Sequence, residues 1–303
     1  MWEQSIFTKV WEFGKDGAAM VKKHYKNGLM LGVFLLAMFF LGRSIGAIVF
    51  GLHLQREMSI RETAGSALEN TQALLSAENW GLGFGSEGTQ PSGTASSDKL
   101  KEYNAYYVGD AGEKKIYLTF DCGYENGFTP KILDVLKKQK VVAAFFVTKP
   151  FIREGTELVR RMKREGHIVG NHTVHHKSMP TLSDRDNKQE IIDCAQYCKE
   201  ATGYEMDHFI RPPMGEYNEK TLKLTKSMGY KTIFWSMAYV DFDVNKQPGK
   251  DYVVGHFKKY THNGAIPLMH NVSQSNAEAL DEVITNLKKE GYEFESLKKL
   301  SSY

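Results

Sequence analysis

The chain has 303 residues, 25% of them charged and 42% hydrophobic, enough for one large globular domain with appendages. A formal net charge of +3, with no Lys/Arg block of five or more, leaves no footprint for nucleic acid. Three cysteines exclude a disulfide framework; Cys194 and Cys198, four apart on a predicted helix, read as small core residues.

From Leu29 to Leu54 the chain is apolar except for Arg43, Ser44 and His53. The uninterrupted part, Leu29 to Gly42, spans about 21 Å as a helix, short of a hydrocarbon core of roughly 30 Å. A spanning helix therefore includes Arg43, which costs about 2.5–3.5 kcal/mol at the bilayer centre and less near an end. Lys15, Lys22, Lys23 and Lys26 precede the run, while Arg56 and Arg61 follow it closely. That asymmetry predicts a single-pass anchor over 29–54, with residues 1–28 cytoplasmic and the rest outside the cell membrane. The competing readings are a cleaved signal peptide, with Ser44-Ile45-Gly46 as a poor small-x-small site, and a core helix.

Residues 55–79 read as a polar helix, a stalk with apolar positions near Ile60, Ala64, Leu68 and Thr71. Five glycines and Pro91 between Gly81 and Ser97 predict a flexible tether, making 55–99 stalk plus linker. Folded structure is expected to resume near Leu100, with Tyr103, Tyr106 and Tyr107 packing on a main domain of residues 100–303.

Beyond Lys114, β-branched and aromatic runs at 115–121, 141–148, 167–173, 208–213, 230–236, 264–270 and 292–297 predict seven strands. Helical patterns lie between them: one with Thr129 as N-cap and Pro130 first, one from Ser183 to Gly203, one from Asn218 to near Gly229, one over Asn276–Glu290. The alternation argues for an α/β fold with a parallel sheet, open or closed into a barrel. Both architectures put chemistry at the C-terminal strand ends.

The polar residues there form a set. Strand one ends in Asp121, strand three runs into His172 and His176, strand four ends at Arg211, Asp241 follows strand five, and strand six ends in His270. Each alone has a bland reading as turn, ion-pair or hydrogen-bonding residue. Their common location favours a site, and two imidazoles four apart can turn toward one divalent metal.

The segment from about 114 to 300 resembles the polysaccharide deacetylases of the NodB-homology type, carbohydrate esterase family four. The carrying stretches are Thr-Phe-Asp-Cys-Gly-Tyr-Glu-Asn-Gly (119–127), Gly-Asn-His-Thr-Val-His-His (170–176), Arg-Pro-Pro-Met-Gly (211–215), Phe-Trp-Ser-Met-Ala-Tyr-Val-Asp-Phe (234–242), Leu-Met-His-Asn-Val-Ser (268–273) and Asn-Ala-Glu-Ala-Leu-Asp (276–281). Within that group it is most similar to the muramic acid deacetylases that make the δ-lactam of spore cortex.

The resemblance implies a distorted (β/α) barrel of about seven strands and metal-assisted amide hydrolysis. Asp121 would be the general base, with Arg211 holding its carboxylate; His270 would be the general acid, oriented by Asp241; the Met214 backbone N–H would stabilise the oxyanion. His172 and His176 would hold the metal, Zn²⁺ first, with Co, Mn or Ni as other choices. Cys122 stands where many relatives carry a second metal-binding Asp, and reads either as a thiolate ligand or as a small buried thiol. Ala238 replaces another frequent Asp and Phe242 the usual Trp. Tyr124, Glu125 and Asn126, with Pro213, Gly215 and Phe242, would shape the glycan groove, although the three residues after the base also suit a turn. The implied partners are peptidoglycan strands, the membrane, and a helper amidase that strips the stem peptide. The alternatives are an N-acetylglucosamine-directed enzyme or a catalytically weak wall-binding module.

Overall fold

The computed structural model describes residues 51–69 and 76–300 continuously, together with Met30 and Gly32. The chain divides into two units, Met1–Ser66 and Ala67–Tyr303. Residues 51–69 are helical, with Ile60 and Leu68 exposed. Most of the expected anchor lies outside the described residues; among those described, no helix is long and apolar enough to cross a membrane.

Seven parallel strands form the main sheet: β1 (Ala105–Tyr106), β2 (Thr119–Cys122), β3 (Ala144–Val147), β4 (Ile168–Asn171), β5 (Phe209–Ile210), β6 (Lys231–Ile233) and β7 (Leu268–His270), ordered β7-β2-β3-β4-β5-β6-β1. The sheet curls into a half-barrel. Its two sides meet beyond β6, where Ser236 N donates to Ile266 O and Leu268 N to Met237 O, both at 2.9 Å, and Met237 bridges Pro267.

Alternation along the strands separates an inner from an outer layer. Phe146, Ile168 and Ile233 pack inside with Tyr106 and Tyr117. Phe120, Phe145, Val147 and Val169 face outward, against Ile132, Leu133 and Leu136 of α1 (Thr129–Gln139), Val159 and Met162 of α3 (Thr156–Arg164) and Leu280 and Ile284 of α7 (Gln274–Lys289). Between these lie α2 (Lys149–Glu154), α4 (Asp184–Thr202), α5 (Glu219–Ser227) and α6 (Lys250–Tyr260). Fully burying one such Phe or Leu contributes about 1.5–3 kcal/mol, so the two-sided core supplies the stability that two- to four-residue strands lack.

Several helix boundaries follow the sequence closely. Ser183 caps α4 by accepting from Asp186 N, and Gly203 ends it at φ 81; Cys194 and Cys198 are both buried on its inner face. Asn218 caps α5. Others shift: Thr129 is the first residue of α1 rather than its cap, and α7, capped by Ser273, starts at Gln274, two residues ahead of the expected Asn276.

Two strand expectations change. The run at 115–121 splits into Lys115–Ile116 and β2, and Glu293–Phe294 pairs with Lys115–Ile116 outside the main sheet. The seventh strand of the sheet is instead Ala105–Tyr106, beside β6.

The expected tether is also corrected. Glu78–Asn79 is not helical but pairs antiparallel with Glu216–Tyr217, and Leu82–Gly83 forms a hairpin with Ser92–Gly93. Trp80, 6% exposed, stacks on Phe234 and tilts against Tyr107 with centroids 4.6 and 4.8 Å away. Its Nε1 donates to Trp235 O, and Gln90 Nε2 donates to Gly109 O and Asn263 O. A Cβ at Gly93 would lie 2.2 Å from the Trp80 ring, so that glycine permits close packing rather than flexibility.

Candidate active site

At the C-terminal ends of the strands lies a cavity of about 870 Å³, lined by Asp121, Tyr124, His172, His176, Met214, Gly215, Trp235, Tyr239, Phe242, His270 and Asn271 among others. Asp121 and His270 are register partners on adjacent strands β2 and β7. The parallel register thus brings residues 149 positions apart to the same cavity.

Arg211 fixes Asp121 from behind. Its guanidinium is fully buried and donates from Nη1 to Asp121 Oδ1 at 2.7 Å, from Nη2 to Thr119 Oγ1 at 2.9 Å and Phe234 O at 3.2 Å, and from Nε to Ile233 O at 3.0 Å. Its planar face lies 4.4 Å from the Phe146 ring centroid. Burial alone would raise the Asp121 carboxyl pKa; the Arg211 charge outweighs it and holds the group below the ordinary carboxylate value. Oδ1 is engaged by Arg211, while Oδ2 lies 3.5 Å from His172 Nε2. A carboxylate so held can accept a proton at neutral pH.

The two histidines follow β4 on a strained loop, with Thr173 at φ 66 and His176 at φ 53. His172 Nδ1 is 2.8 Å from Arg211 O; a carbonyl only accepts, so Nδ1 carries the proton and Nε2 the lone pair. Burial pushes the His172 pKa down to about 4 and lowers that of His176, so His172 is neutral at physiological pH. The two Nε2 atoms stand 3.1 Å apart. His176 Nε2–H can donate to the His172 lone pair at that distance, and in its other tautomer both lone pairs face a common point. Neutral imidazoles, that of His172 with its Nδ1–H tied to the Arg211 carbonyl, are suited to Zn²⁺, Co²⁺, Mn²⁺ or Ni²⁺. Among the described residues no cluster of three or more His, Cys, Asp or Glu is arranged to enclose an ion. His172 and His176 are the candidate donors at this site.

Cys122 does not join them. It occupies the strand face opposite Asp121, fully buried in the outer apolar layer, and burial pushes its thiol well above the ordinary value. The thiolate-ligand reading is corrected by that orientation: Cys122 is a core thiol.

His270 is held by Asp241. The fully buried Asp241 offers Oδ1 to His270 Nδ1 at 2.7 Å and accepts from His270 N through Oδ2 at 2.8 Å. Burial works against a charged imidazole, but the Asp241 hydrogen bond and charge prevail and raise the His270 pKa. With Nδ1 occupied, Nε2 is the atom free to exchange a proton with a molecule in the cavity. Phe242 packs edge-on to the ring with centroids 5.5 Å apart.

The remaining expected site residues divide. Tyr124, Met214, Gly215 and Phe242 line the cavity. Met214 at φ 58 and Gly215 at φ 69 form a turn whose Gly215 O accepts from Trp80 N at 2.9 Å. Glu125 does not line the cavity: it caps the following turn, accepting from Gly127 N at 2.6 Å and from the Thr129 hydroxyl. Asn126 Nδ2 is spent on Val272 O, and Pro213 is buried in the turn. These three support the site without forming its wall.

Sequence reasoning left four contributors unassigned. Thr119 and Trp235 meet Arg211; Asn276 Nδ2 donates to Asp241 Oδ2 at 2.6 Å; Glu190 accepts from Val174 N and His175 N on the histidine loop. Thr119 was detectable, since it lies two residues before Asp121 on the same strand face. Glu190, in the middle of α4, carried no signal.

The polysaccharide deacetylase family model matches residues 108–233. The peptidoglycan-N-acetylmuramic acid deacetylase PdaA of Bacillus subtilis is 44% identical over 235 residues, covering 77% of this chain and 89% of that protein. A peptidoglycan-N-acetylglucosamine deacetylase of Bacillus cereus is 32% identical over 194 residues, covering 63% and 90%. The solved structure of B. subtilis PdaA, described as a family 4 carbohydrate esterase, superposes with a TM-score of 0.71 at 46% identity, covering 74% of this chain and 96% of that one. On this similarity of sequence and fold, the chain belongs to the polysaccharide deacetylase family and is a hydrolase of carbon–nitrogen bonds.

Proposed function

We propose that this chain removes the acetyl group from N-acetylmuramic acid in peptidoglycan, in support of δ-lactam formation in spore cortex. The observation that carries the reading is the pair of buried-carboxylate contacts on one cavity, Asp121 with Arg211 and Asp241 with His270, beside the facing imidazoles of His172 and His176. The 44% identity to a muramic acid deacetylase supports the substrate.

A divalent ion held by His172 and His176, Zn²⁺ first among the choices, would supply Lewis acidity toward the acetyl carbonyl and its attacking water. Asp121 Oδ2 accepts a proton as the water oxygen bonds to the carbonyl carbon, while Arg211 keeps Oδ1 fixed. The Met214 backbone N–H donates to the carbonyl oxygen as charge builds there. His270 Nε2–H then protonates the sugar nitrogen, so that the C–N bond breaks to acetate and a free amine. Asp241 retains the Nδ1–H and keeps the imidazole in register. Each proton transfer contributes about 10²–10⁴-fold. Tyr124 and Phe242 offer apolar faces to the sugar rings.

The apolar run at 29–54 with its preceding lysines supports a single-pass anchor that carries residues 55–303 on the outer side of the cell membrane, beside the polymer. A helper amidase that first removes the stem peptide is part of this reading.

Acetate release from peptide-free muramic acid glycan, intact peptidoglycan and chitin oligomers tests the proposal. The first substrate should be preferred, intact peptidoglycan being poor until the amidase has acted. Preference for chitin oligomers points to the N-acetylglucosamine class, and binding without release in the presence of Zn²⁺ to a wall-binding module.

A further inference from the structure

We propose that Asn276 and Tyr239 are positioning residues for the proton donor, forming a relay of hydrogen bonds that locks Asp241 and, through it, His270. The inference rests on the reading of His270 as general acid and names two residues that act through it. Asn276 is the third residue of α7 and is fully buried. Its Nδ2 donates to Asp241 Oδ2 at 2.6 Å and to His270 O at 3.1 Å, and its Oδ1 accepts from the Tyr239 hydroxyl at 2.6 Å.

The direction of every bond is determined. Asp241 Oδ2 and His270 O can only accept, so the amide nitrogen must face them; the amide oxygen must then face Tyr239, whose hydroxyl donates. A fully buried Asp241 has no solvent to complete its hydrogen bonding, and Oδ2 is satisfied by two donors from the chain, His270 N and Asn276 Nδ2. Those donors fix the carboxylate plane and leave Oδ1 directed at His270 Nδ1. Without Asn276 the carboxylate can rotate, and the imidazole loses its fixed approach to the sugar nitrogen. Tyr239 has the further task of preventing an amide flip, which would aim Oδ1 of Asn276 at the carboxylate. The relay carries the backbone contact between Met237 and Leu268 onward, joining the loop after β6 to the end of β7 and the start of α7.

The helix start does not depend on this amide, because Ser273 Oγ caps α7 through the Asn276 backbone N–H. Asn276→Ala, Asn276→Asp and Tyr239→Phe in the full chain test the relay. The expected result for Asn276→Ala is a loss in kcat of about tenfold to hundredfold with KM changed by less than about threefold, the range seen when groups supporting a catalytic residue are removed. Asn276→Asp, isosteric but with an acceptor against Asp241, should lose at least as much. Tyr239→Phe should lose less, and the Asn276→Ala/Tyr239→Phe double variant should be no worse than Asn276→Ala alone. Adding Asn276→Ala to His270→Ala should cost nothing further.

Full kcat in a folded Asn276→Ala protein overturns the relay, as do additive losses in the double variant or an undiminished penalty in the His270→Ala background. Should His270→Ala itself keep full activity, the assignment of the acid falls, which is a different result from failure of the relay alone. If Asn276→Ala does not fold, the Tyr239→Phe kcat and KM values, alone and combined with His270→Ala, decide the same question.

Discussion

Asp121 and His270 face each other across the register of β2 and β7, one tied to Arg211 and the other to Asp241. A carboxylate kept below its ordinary pKa and an imidazole raised above its own thus sit on neighbouring strands, each polarised by a buried charged partner.

That relationship sets the roles to be tested. Asp121→Asn keeps shape and removes the base, and should lower kcat by about 10²–10⁴-fold while the folded fraction stays unchanged by circular dichroism. Arg211→Ala should be worse for the fold than for the chemistry. It strands Asp121, Thr119 and two carbonyls in a dry interior, for about 3–5 kcal/mol lost in urea unfolding.

The pH profile follows from the acid. His270 must be protonated to donate, and its pKa is raised above 6.5 by Asp241 against the opposing effect of burial. The rate should fall as pH rises past that raised value. Asp241→Asn should move the alkaline limb of kcat/KM to lower pH. A limb that stays in place would show that another group carries the proton.

Acid stability depends on a histidine outside the site. His167 is buried, accepts from Ala143 N through Nδ1, and is pushed down to about 4 chiefly by burial. Between 6.5 and 4 the unfolded chain binds a proton that the folded chain resists. Stability present above 6.5 is therefore lost as pH falls, by at most about 3 kcal/mol from this residue. Urea midpoints at pH 7 and pH 4.5 should differ, and His167→Gln should reduce the difference.

Metal content separates Cys122 from the histidines. His172→Ala and His176→Ala should each abolish zinc retention on elemental analysis. Cys122→Ala should retain zinc and activity and lose about 1 kcal/mol of stability, as an ordinary core truncation. Chelation should inactivate the enzyme, and added Zn²⁺ should restore it.

Much of this was legible because chemistry and strand ends coincide in a parallel α/β fold. Asp121, His172, Arg211, Asp241 and His270 all stand where apolar runs stop, and those runs, such as Ala144-Phe145-Phe146-Val147, are buried on both faces. Ala105–Tyr106 escaped notice because two residues carry no period. Residues 292–297 have strand composition but lie beside Lys115–Ile116, and no local pattern encodes that partner. Of the two readings of Cys122, the buried thiol holds, and a period of two along the strand already turns it away from Asp121. Asn276 stood within a quoted stretch, yet its purpose depends on Asp241 and Tyr239, which lie 35 and 37 positions earlier.

The docked hairpin around Trp80 bears on how the enzyme is handled. Composition invites a truncation near residue 100, but such a cut would strip the indole from Phe234 and Tyr107 and release the Gly215 carbonyl beside the catalytic mouth. A truncated version should begin ahead of Glu78. A shorter one would bare aromatic surface, aggregate, and be mistaken for an inactive protein.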